Sequence, residues 1–332
     1  MDLNSEYKNK KVLITGGGGF IGSNLAIKLV NLGAEVSIMD SKLKPYGYNS
    51  FNLEPIQNKI QIDYSDIRDK SAVERNIVGK DIVFSLAAQV GEKISEENPY
   101  LDWEINILGH SNILQACELN NKGARILFSG SRLQYGRTNG VDIISESHPM
   151  NPLTNYARNK VIGEKMYKEF SNKGLETVMF RITNPFGPRA LISNPGYCVV
   201  NWFIYRALNK KELPIYGNGL QSRDYIFIDD LTEAMAIAGV HKEAPGNIYN
   251  VGSGERSSFR EMAQKIVELS GNNETKLNFI EWPQDAKNRE TGGFVADISK
   301  IKKDLGWRPV YTLKDGLKKT IEFYRENIDH YK

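Results

Sequence analysis

The stretch KKVLITGGGGFIG, residues 10–22, places a short apolar run directly before a cluster of glycines. Residues 12–14 are Val, Leu and Ile, and this run predicts a buried β-strand that ends at the first glycine. The next segment, NLAIKLVNLG, spaces its leucines at helical intervals and ends at Gly33, which predicts an amphipathic helix with a glycine stop. The glycines therefore lie at a strand-to-helix turn.

A glycine-rich turn of this kind suits the pyrophosphate of a dinucleotide. Gly16, Gly19 and Gly22 would let the ligand approach the backbone, and the helix N-terminus would attract its negative charge. A glycine-rich turn without a ligand is the plainer alternative. We favour the nucleotide site because strand, glycines, helix and a later acidic residue follow one another in the expected order.

That acidic residue is Asp40, at the end of the second predicted strand, AEVSIMD. A carboxylate at this point accepts hydrogen bonds from both ribose hydroxyls of the adenosine and repels a 2′-phosphate. The sequence therefore predicts a preference for NAD over NADP. Lys42 and Lys44 follow closely and weaken this preference, because either ammonium could attract a 2′-phosphate.

Tyr156 and Lys160, in NPLTNYARNK, are four residues apart and therefore lie on one face of a predicted helix. A phenol beside an ammonium is an acid/base pair suited to a redox reaction. A free tyrosine ionises near pH ~10, so a pKa near ~7 requires roughly 4 kcal/mol of preferential phenolate stabilisation. The adjacent ammonium and an oxidised nicotinamide could supply it in a partly dry site. The alternative is an ordinary amphipathic surface helix.

The composition is typical of a soluble enzyme of one large or two moderate domains, with 332 residues, 40% hydrophobic and 25% charged. A net charge of +3 favours neither nucleic acid nor an anionic membrane as a partner. No apolar run approaches the roughly 20 residues that cross a bilayer, and the first residues lack a signal-peptide core.

The cysteines and histidines predict neither a disulfide framework nor a metal site. Cys117 and Cys198 are the only cysteines, which fits a reducing cytoplasm. The histidines are scattered singly and show no metal-ligand spacing, at His110, His148, His241 and His330.

Strand and helix patterns alternate through about residue 180, which predicts an α/β protein with a Rossmann-type, doubly wound parallel sheet. Further strands are predicted within residues 81–88, 125–131 and 175–188. Beyond Pro188 the alternation weakens, which indicates a smaller C-terminal α/β domain for the substrate. We assign residues 1–182 and 225–252 to the NAD-binding domain, and residues 183–224 and 253–332 to the substrate-binding domain.

Motifs along nearly the whole chain resemble those of the extended short-chain dehydrogenase/reductases, in the branch of nucleotide-sugar epimerases and dehydratases. They occur in the family's order and at similar spacing, and such a series is far more specific than any one motif. The matching stretches are TGGGGFIG, DIRD, LAAQ, INILG, SGSRLQYG, YARNK, RITNPFGPR, GNGLQSRDYIFIDDL, YNVGSGE and ADISKIKKDLGWRP.

The resemblance implies the catalytic roles and the cofactor. Ser131 would hold the reacting sugar hydroxyl, Tyr156 would remove its proton, and Lys160 would bind the nicotinamide ribose and lower the pKa of the tyrosine. The cofactor would be NAD, with Pro185 and Phe186 beside the nicotinamide. Its expected contacts are Gly16, Gly19, Phe20, Ile21, Gly22, Asp40, Asp66, Ile67, Leu86, Ala87, Ala88, Gln89, Asn106, Tyr156, Lys160 and Pro185.

The substrate implied by the resemblance is a nucleotide-diphosphate sugar. Arg223 would grip its pyrophosphate, for which a guanidinium is suited, unless it forms a surface ion pair with Asp224 or Glu212. Asn184 would contact the substrate phosphate, and the other expected contacts are Ser131, Arg132 and Arg289. The family usually has a second phosphate-binding arginine near the last of these, but counting back from Asp297 puts Lys287 at that place, so the choice between Lys287 and Arg289 stays open.

Position 132 narrows the implied reaction. The 4,6-dehydratases and the UDP-glucuronate decarboxylases carry a glutamate after the equivalent of Ser131, and the GDP-mannose 3,5-epimerases and GDP-fucose synthases carry a cysteine there. This chain has Arg132, which would face a substrate anion or only solvent. We expect an epimerase that oxidises C4, turns the 4-keto sugar over and returns the hydride.

Other functions stay open at this stage. LAAQV, NPYLDWEIN and GYCVVNWF are also similar to the CDP-tyvelose 2-epimerases, which invert C2 of a deoxysugar. A ketosugar reductase or a nucleotide-sugar 4-dehydrogenase would use the same serine, tyrosine and lysine. Outside enzymology, such a scaffold can serve as an NAD-sensing or RNA-binding protein without chemistry.

Two further expectations follow from the resemblance. The first is a homodimer that pairs through helices near residues 106–119 and 156–170, where Ile113, Leu114 and Cys117 form an apolar stripe. That stripe could equally pack on the subunit's own sheet. The second is that Phe294 limits the space beside the C2 substituent of the sugar and disfavours 2-acetamido sugars, unless it is simply a core residue.

Overall fold

The computed structural model describes residues 1–44, 47–141, 143–272 and 274–331. A seven-stranded, all-parallel sheet forms its centre, and the chain winds outward from the interior strand Lys11–Thr15 first to one side and then to the other. In spatial order the strands are Ile248–Val251, Glu176–Ile182, Arg125–Ser131, Ile82–Ser85, Lys11–Thr15, Glu35–Met39 and Gln61–Asp63. The predicted Rossmann-type, doubly wound sheet is confirmed.

Alternate residues of each strand pack against helices on opposite faces of the sheet. Val12 lies in the apolar cluster of one face and Leu13 in that of the other. Helices Phe20–Asn31 and Ile228–Val240 pack together on the first face, while Lys70–Ile77 and His110–Asn120 pack together on the second. Because both faces are covered, the strands are nearly continuous apolar runs.

The remaining helices surround the sheet and build the C-terminal part. The further α-helices are Leu3–Tyr7, Glu92–Glu97, Pro99–Trp103, Asn155–Asn172, Val199–Leu208, Phe259–Ser270, Gln284–Arg289, Ser299–Leu305 and Leu313–Asn327. Short 3₁₀ segments span Ser50–Lys59, Arg132–Tyr135 and Ile328–Tyr331, and a π-helical segment spans Glu104–Gly109.

Pairs of short strands connect distant parts of the chain. They are Ile143–Ile144 with Val295–Ala296, Asn184–Phe186 with Tyr225–Phe227, Leu213–Tyr216 with Leu277–Ile280, and Ser222–Arg223 with Ser257–Ser258. The seven sheet strands fall within residues 1–182 and 225–252, whereas Ile143–Ile144 pairs with a strand beyond residue 253. The two-domain division stays a prediction.

The described residues contain neither a membrane-spanning helix nor a metal-binding cluster. None of their helices has both the length and the apolar character that crossing a membrane requires. Within the same ranges, no group of three or more His, Cys, Asp or Glu side chains is arranged to hold a metal ion.

The carboxyl ends of the parallel strands bring the predicted motifs to one edge of the sheet. The glycine turn follows Lys11–Thr15, residues 86–88 follow Ile82–Ser85, and Ser131 ends the strand Arg125–Ser131. The winding direction reverses between the first two of these strands. Open α/β sheets bind their ligands at this kind of position.

Candidate active site

A cavity of about 480 Å³ opens along this edge of the sheet. It brings together most of the residues that the sequence assigned to cofactor and substrate. The predicted residues that line it are Gly16, Gly19, Phe20, Ile21, Gly22, Asp40, Asp66, Ile67, Leu86, Ala87, Ala88, Ser131, Arg132, Tyr156, Lys160, Asn184, Pro185 and Arg223. Gln89, Asn106 and Arg289 do not line it.

The glycine turn leaves no room for side chains. Gly16 has a φ of +69°, and a Cβ there would lie 2.8 Å from the backbone of Ala87. A Cβ on Gly22 would overlap the carbonyl oxygen of Gly16. Gly19 directly precedes the helix Phe20–Asn31, so the first N–H groups of that helix face the cavity. This bare, electropositive turn fits a dinucleotide pyrophosphate.

Asp40 lies at the ribose end of the cavity and is fixed by the backbone. Its Oδ2 accepts a hydrogen bond from Gly18 N at 2.9 Å, and its Oδ1 accepts one from Lys42 N at 3.0 Å. The Lys42 ammonium lies 3.2 Å from the ring centroid of Tyr64. The positive charge of Lys42 therefore stays beside Asp40, where it also acts on the pKa of that carboxyl group.

Ser131, Tyr156 and Lys160 converge on the same cavity. Tyr156 and Lys160 lie in the first turns of the helix Asn155–Asn172, which Thr154 caps by accepting a hydrogen bond from Ala157 N. The Lys160 Nζ donates a hydrogen bond to Ser129 O at 2.9 Å and lies 5.8 Å from the ring centroid of Tyr156. Ser131 and Tyr156 both line the cavity, and the Ser131 hydroxyl is near enough to the phenol to oppose the rise of its pKa.

The protein without ligands does not lower the pKa of the tyrosine. Burial raises the pKa of Tyr156, and the negative charges of Asp102 and Glu92 raise it further, against the opposing effect of the Ser131 hydroxyl. Burial also lowers the pKa of Lys160 to about 8, although Asp102 opposes this effect. An activated phenolate therefore requires additional positive charge, such as that of an oxidised nicotinamide.

Asp102 is a buried carboxylate behind the cavity wall that the sequence analysis missed. It accepts hydrogen bonds from Asn159 Nδ2 at 2.6 Å and from Asn106 Nδ2 at 2.8 Å. Asn106 also donates to Gln89 O at 3.1 Å. Asn106 and Gln89 thus support the wall near Lys160 and do not line the cavity, and their assignment as cofactor contacts stays a prediction. Nothing in the local pattern of NPYLDWEIN indicates this role.

Arg223 is paired with a different residue from those considered in the sequence. Its Nη2 donates to both carboxylate oxygens of Glu290, at 2.8 and 2.7 Å, and its Nη1 donates to Gly292 O. Neither Asp224 nor Glu212 is its partner in these ion pairs. The predicted phosphate-binding guanidinium therefore already has a carboxylate beside it, which a substrate phosphate would share or displace.

The predicted contact of Arg289 with the substrate is not supported. Arg289 ends the helix Gln284–Arg289 and donates to Asp285 Oδ2 at 3.0 Å. Lys287, the alternative, lines a separate surface groove together with Arg137. The residue of this stretch that reaches Arg223 is Glu290, because the helix ends there and the chain turns toward the cavity.

Arg132 lies deep in the cavity wall and not in solvent. Its side chain donates from Nε to Asn184 Oδ1 at 3.1 Å and from Nη1 to Thr291 Oγ1 at 3.1 Å. Phe294 is buried and does not line the cavity, and its ring centroid lies 5.7 Å from the guanidinium carbon of Arg132. The structure therefore places Phe294 behind Arg132, in the core.

Glu92 is the second carboxyl group that the sequence analysis missed. It is the first residue of the helix Glu92–Glu97 and lines the cavity with Arg132 and Tyr156. Burial raises its pKa, although the charges of Arg132 and Arg289 and a hydrogen bond from Thr154 oppose the shift. A glutamate directly after Ser131 is missing from this chain, but a carboxyl group is present on another wall.

This arrangement defines an enzyme of the extended short-chain dehydrogenase/reductase class. A nucleotide turn, a serine–tyrosine–lysine set and a substrate end with two arginines share one cavity. A family model described as GDP-mannose 4,6 dehydratase matches residues 13–320, and the chain belongs to that family.

Similar proteins carry out several reactions on nucleotide sugars. A putative UDP-glucose 4-epimerase from Methanocaldococcus jannaschii is 31% identical over 318 residues, which cover 95% of this chain and 99% of that protein. A UDP-N-acetyl-alpha-D-glucosaminuronate decarboxylase from Bacillus cytotoxicus is 32% identical over 330 residues, covering 96% and 98%. The structure of Thermus thermophilus UDP-glucose 4-epimerase in complex with NAD is 29% identical, with a TM-score of 0.83, covering 95% and 99%.

The position of Asp40 predicts the nucleotide preference. NAD(H) should bind more tightly than NADP(H), because the fixed carboxylate repels a 2′-phosphate, and Asp40→Ala should shrink that difference. Calorimetric titration of wild type and variant with both nucleotides measures it. Equal affinities of the wild type for the two nucleotides would contradict the assignment of Asp40.

Proposed function

We propose that this chain is an NAD-dependent nucleotide-sugar epimerase that acts at C4 through a transient 4-keto sugar. The observation that carries the proposal is the convergence of Ser131, Tyr156 and Lys160 beside the nucleotide turn, with an arginine at position 132. This set suits oxidation of one hydroxyl and reduction of the resulting ketone. It lacks the glutamate at position 132 that the resemblance links to dehydration and decarboxylation.

NAD is the cofactor, and the cavity fits it. Residues Gly16, Gly19 and Gly22 leave the turn bare, and Asp40 is held where a ribose would lie. When bound, NAD supplies acceptance and return of a hydride. Lys160, whose ammonium lies between the strand end and the tyrosine, would hold the nicotinamide ribose.

Side chains of the protein carry out the proton transfers. Ser131 holds the C4 hydroxyl by a hydrogen bond and orients it toward Tyr156. The phenolate of Tyr156 takes the proton during oxidation and gives it back when the ketone is reduced, so no net proton is consumed. Between the two steps Tyr156 is a neutral phenol, and the buried ammonium of Lys160 stabilises the phenolate that exists before the oxidation and after the reduction.

Glu92 favours one second candidate, a reaction that also moves a proton at a carbon next to the ketone. A buried carboxyl group with a raised pKa is suited to such a step. The Bacillus cytotoxicus decarboxylase shows that similar chains can have an outcome other than epimerisation. The mass of the product separates dehydration and decarboxylation from C4 epimerisation, and uptake of deuterium from D2O next to C4 reveals a proton moved there without a loss of mass.

The acid/base role of Tyr156 predicts a large loss of turnover. Tyr156→Phe should lower turnover at least ~100-fold and leave NAD bound, because general acid/base groups contribute about 10²–10⁴. The matched control, Tyr100→Phe, alters an exposed tyrosine and should keep full activity. Turnover of UDP-, GDP-, CDP- and dTDP-sugars is followed by mass spectrometry. Near-normal turnover by Tyr156→Phe, or products that have lost water or carbon dioxide, would contradict the proposal.

We also propose that the protein is a homodimer. The predicted stripe does not serve this purpose, because Ile113, Leu114 and Cys117 are fully buried in the subunit's own core. Other apolar side chains on the two predicted helices are exposed, namely Leu108, Leu119 and Ile162, at 37%, 68% and 43%. Exposed apolar residues on neighbouring helices suit an isologous helix-pairing interface.

Light scattering at micromolar concentration should therefore give the mass of a dimer. The double variant Leu108→Lys with Ile162→Lys should give a monomer, because it places charges in the apolar interface. Leu220→Lys changes an exposed leucine outside these helices and should stay dimeric. A monomeric wild type, or a dimer unaffected by the double variant, would refute this interface.

A further inference from the structure

Arg132 occupies a socket built from neutral groups. Its Nε and Nη1 donate to Asn184 Oδ1 and Thr291 Oγ1, and its guanidinium carbon lies 5.7 Å from the ring centroid of Phe294. The residue is 9% exposed and lines the cavity. An arginine has five N–H donors, so two bonds to neutral oxygens leave donors available on the cavity side.

The other buried arginines of the site region are neutralised directly. Arg181 is bidentate to Glu164, with both side chains 3% exposed, and Arg223 is bidentate to Glu290. Among the ion pairs of the described residues, Arg132 has no such partner. A buried guanidinium without a carboxylate is costly unless a ligand supplies the missing charge.

The charge of Arg132 persists at neutral pH. Burial and the neighbouring Arg223 lower its pKa only to about 10. Glu92 and Glu290 act on it electrostatically, without forming an ion pair with it. Burial raises the pKa of Glu92, which favours the neutral form of that carboxyl group and weakens its repulsion of an incoming anion.

The position of Arg132 indicates which part of the substrate carries the anion. Arg132 directly follows Ser131, the side chain that holds the reacting hydroxyl in the proposed function. A sugar held by Ser131 would therefore lie close to Arg132, if the proposed function is right. The diphosphate has its own guanidinium in Arg223, which lines the same cavity.

We propose that Arg132 binds a carboxylate on the sugar, and that the substrate class is a nucleotide uronic acid. This inference rests on the proposed function, since it requires a sugar at Ser131. It assigns to Arg132 the role of selecting acidic over neutral sugars. A guanidinium suits that role because it can donate two parallel hydrogen bonds to one carboxylate.

The test compares two ligands that differ only at C6, UDP-glucuronate and UDP-glucose. Calorimetry of the NAD-loaded wild type should give at least ~10-fold tighter binding of UDP-glucuronate, the factor expected for a charge-assisted contact. Arg132→Met should bring the ratio of the two affinities close to one, and Arg132→Lys should keep part of it. Arg75→Met, an exposed arginine on the helix Lys70–Ile77, is the matched control and should keep the wild-type ratio. Retained NAD and an unchanged melting temperature show that each variant is folded.

Each other outcome overturns the inference. Equal affinities in the wild type, or a ratio that survives Arg132→Met, would show that Arg132 selects no carboxylate. If Arg132→Met loses affinity for both ligands by the same factor, Arg132 binds the phosphates, which the two ligands share. Turnover of neutral sugars without this preference would leave the proposed function intact. If neither UDP-sugar binds, both the assignment of a UDP-sugar site and this inference are wrong.

Discussion

The contact between Gly22 and the carbonyl oxygen of Gly16 is the constraint on which the site depends. No side chain fits at Gly22, so the helix Phe20–Asn31 packs directly against the end of the strand Lys11–Thr15. Gly16 similarly lies against the backbone of Ala87 in the next loop. These two close backbone contacts bring the helix N-terminus and the neighbouring strand ends to one edge of the sheet. They leave a surface without side chains on which a dinucleotide can lie.

Three buried cations in the cavity are stabilised in different ways, and the differences correspond to the roles proposed for them. Lys160 donates to a backbone carbonyl near Asp102, which keeps it beside Tyr156. Arg223 is held by Glu290, so it is fixed before any phosphate arrives. Arg132 has only neutral partners in the described structure and is left to respond to a ligand. The charge of the substrate is therefore matched by groups that the fold positions beforehand.

The sequence reveals those parts of the site that lie within one element or its adjoining turn. The glycine turn, Asp40 and the pair Tyr156 and Lys160 are local patterns, and the structure brings all of them to the cavity. Asp102, Glu92 and Glu290 were missed because each reaches the site through tertiary contacts with residues far away in the chain. Their own neighbourhoods show no spacing that distinguishes them from surface charges.

Two other expectations lack support from the structure, for physical reasons of the same kind. Arg289 was chosen by counting along a segment without regular periodicity, and the end of the helix Gln284–Arg289 changes which side chain turns inward. An apolar stripe on a helix is equally suited to the subunit's own sheet and to a partner. The stripe within residues 113–117 is buried in the subunit's own core, against the sheet.

The central claim is that one active site removes a hydride from C4 and returns it to the same carbon. A UDP-sugar deuterated at C4 tests this claim most directly, with the product analysed by mass spectrometry and NMR. The account predicts a C4 epimer that keeps its deuterium at C4 and gains no hydrogen from solvent at any other carbon. Loss of the label to released NADH, or exchange with solvent at a carbon next to C4, would contradict it.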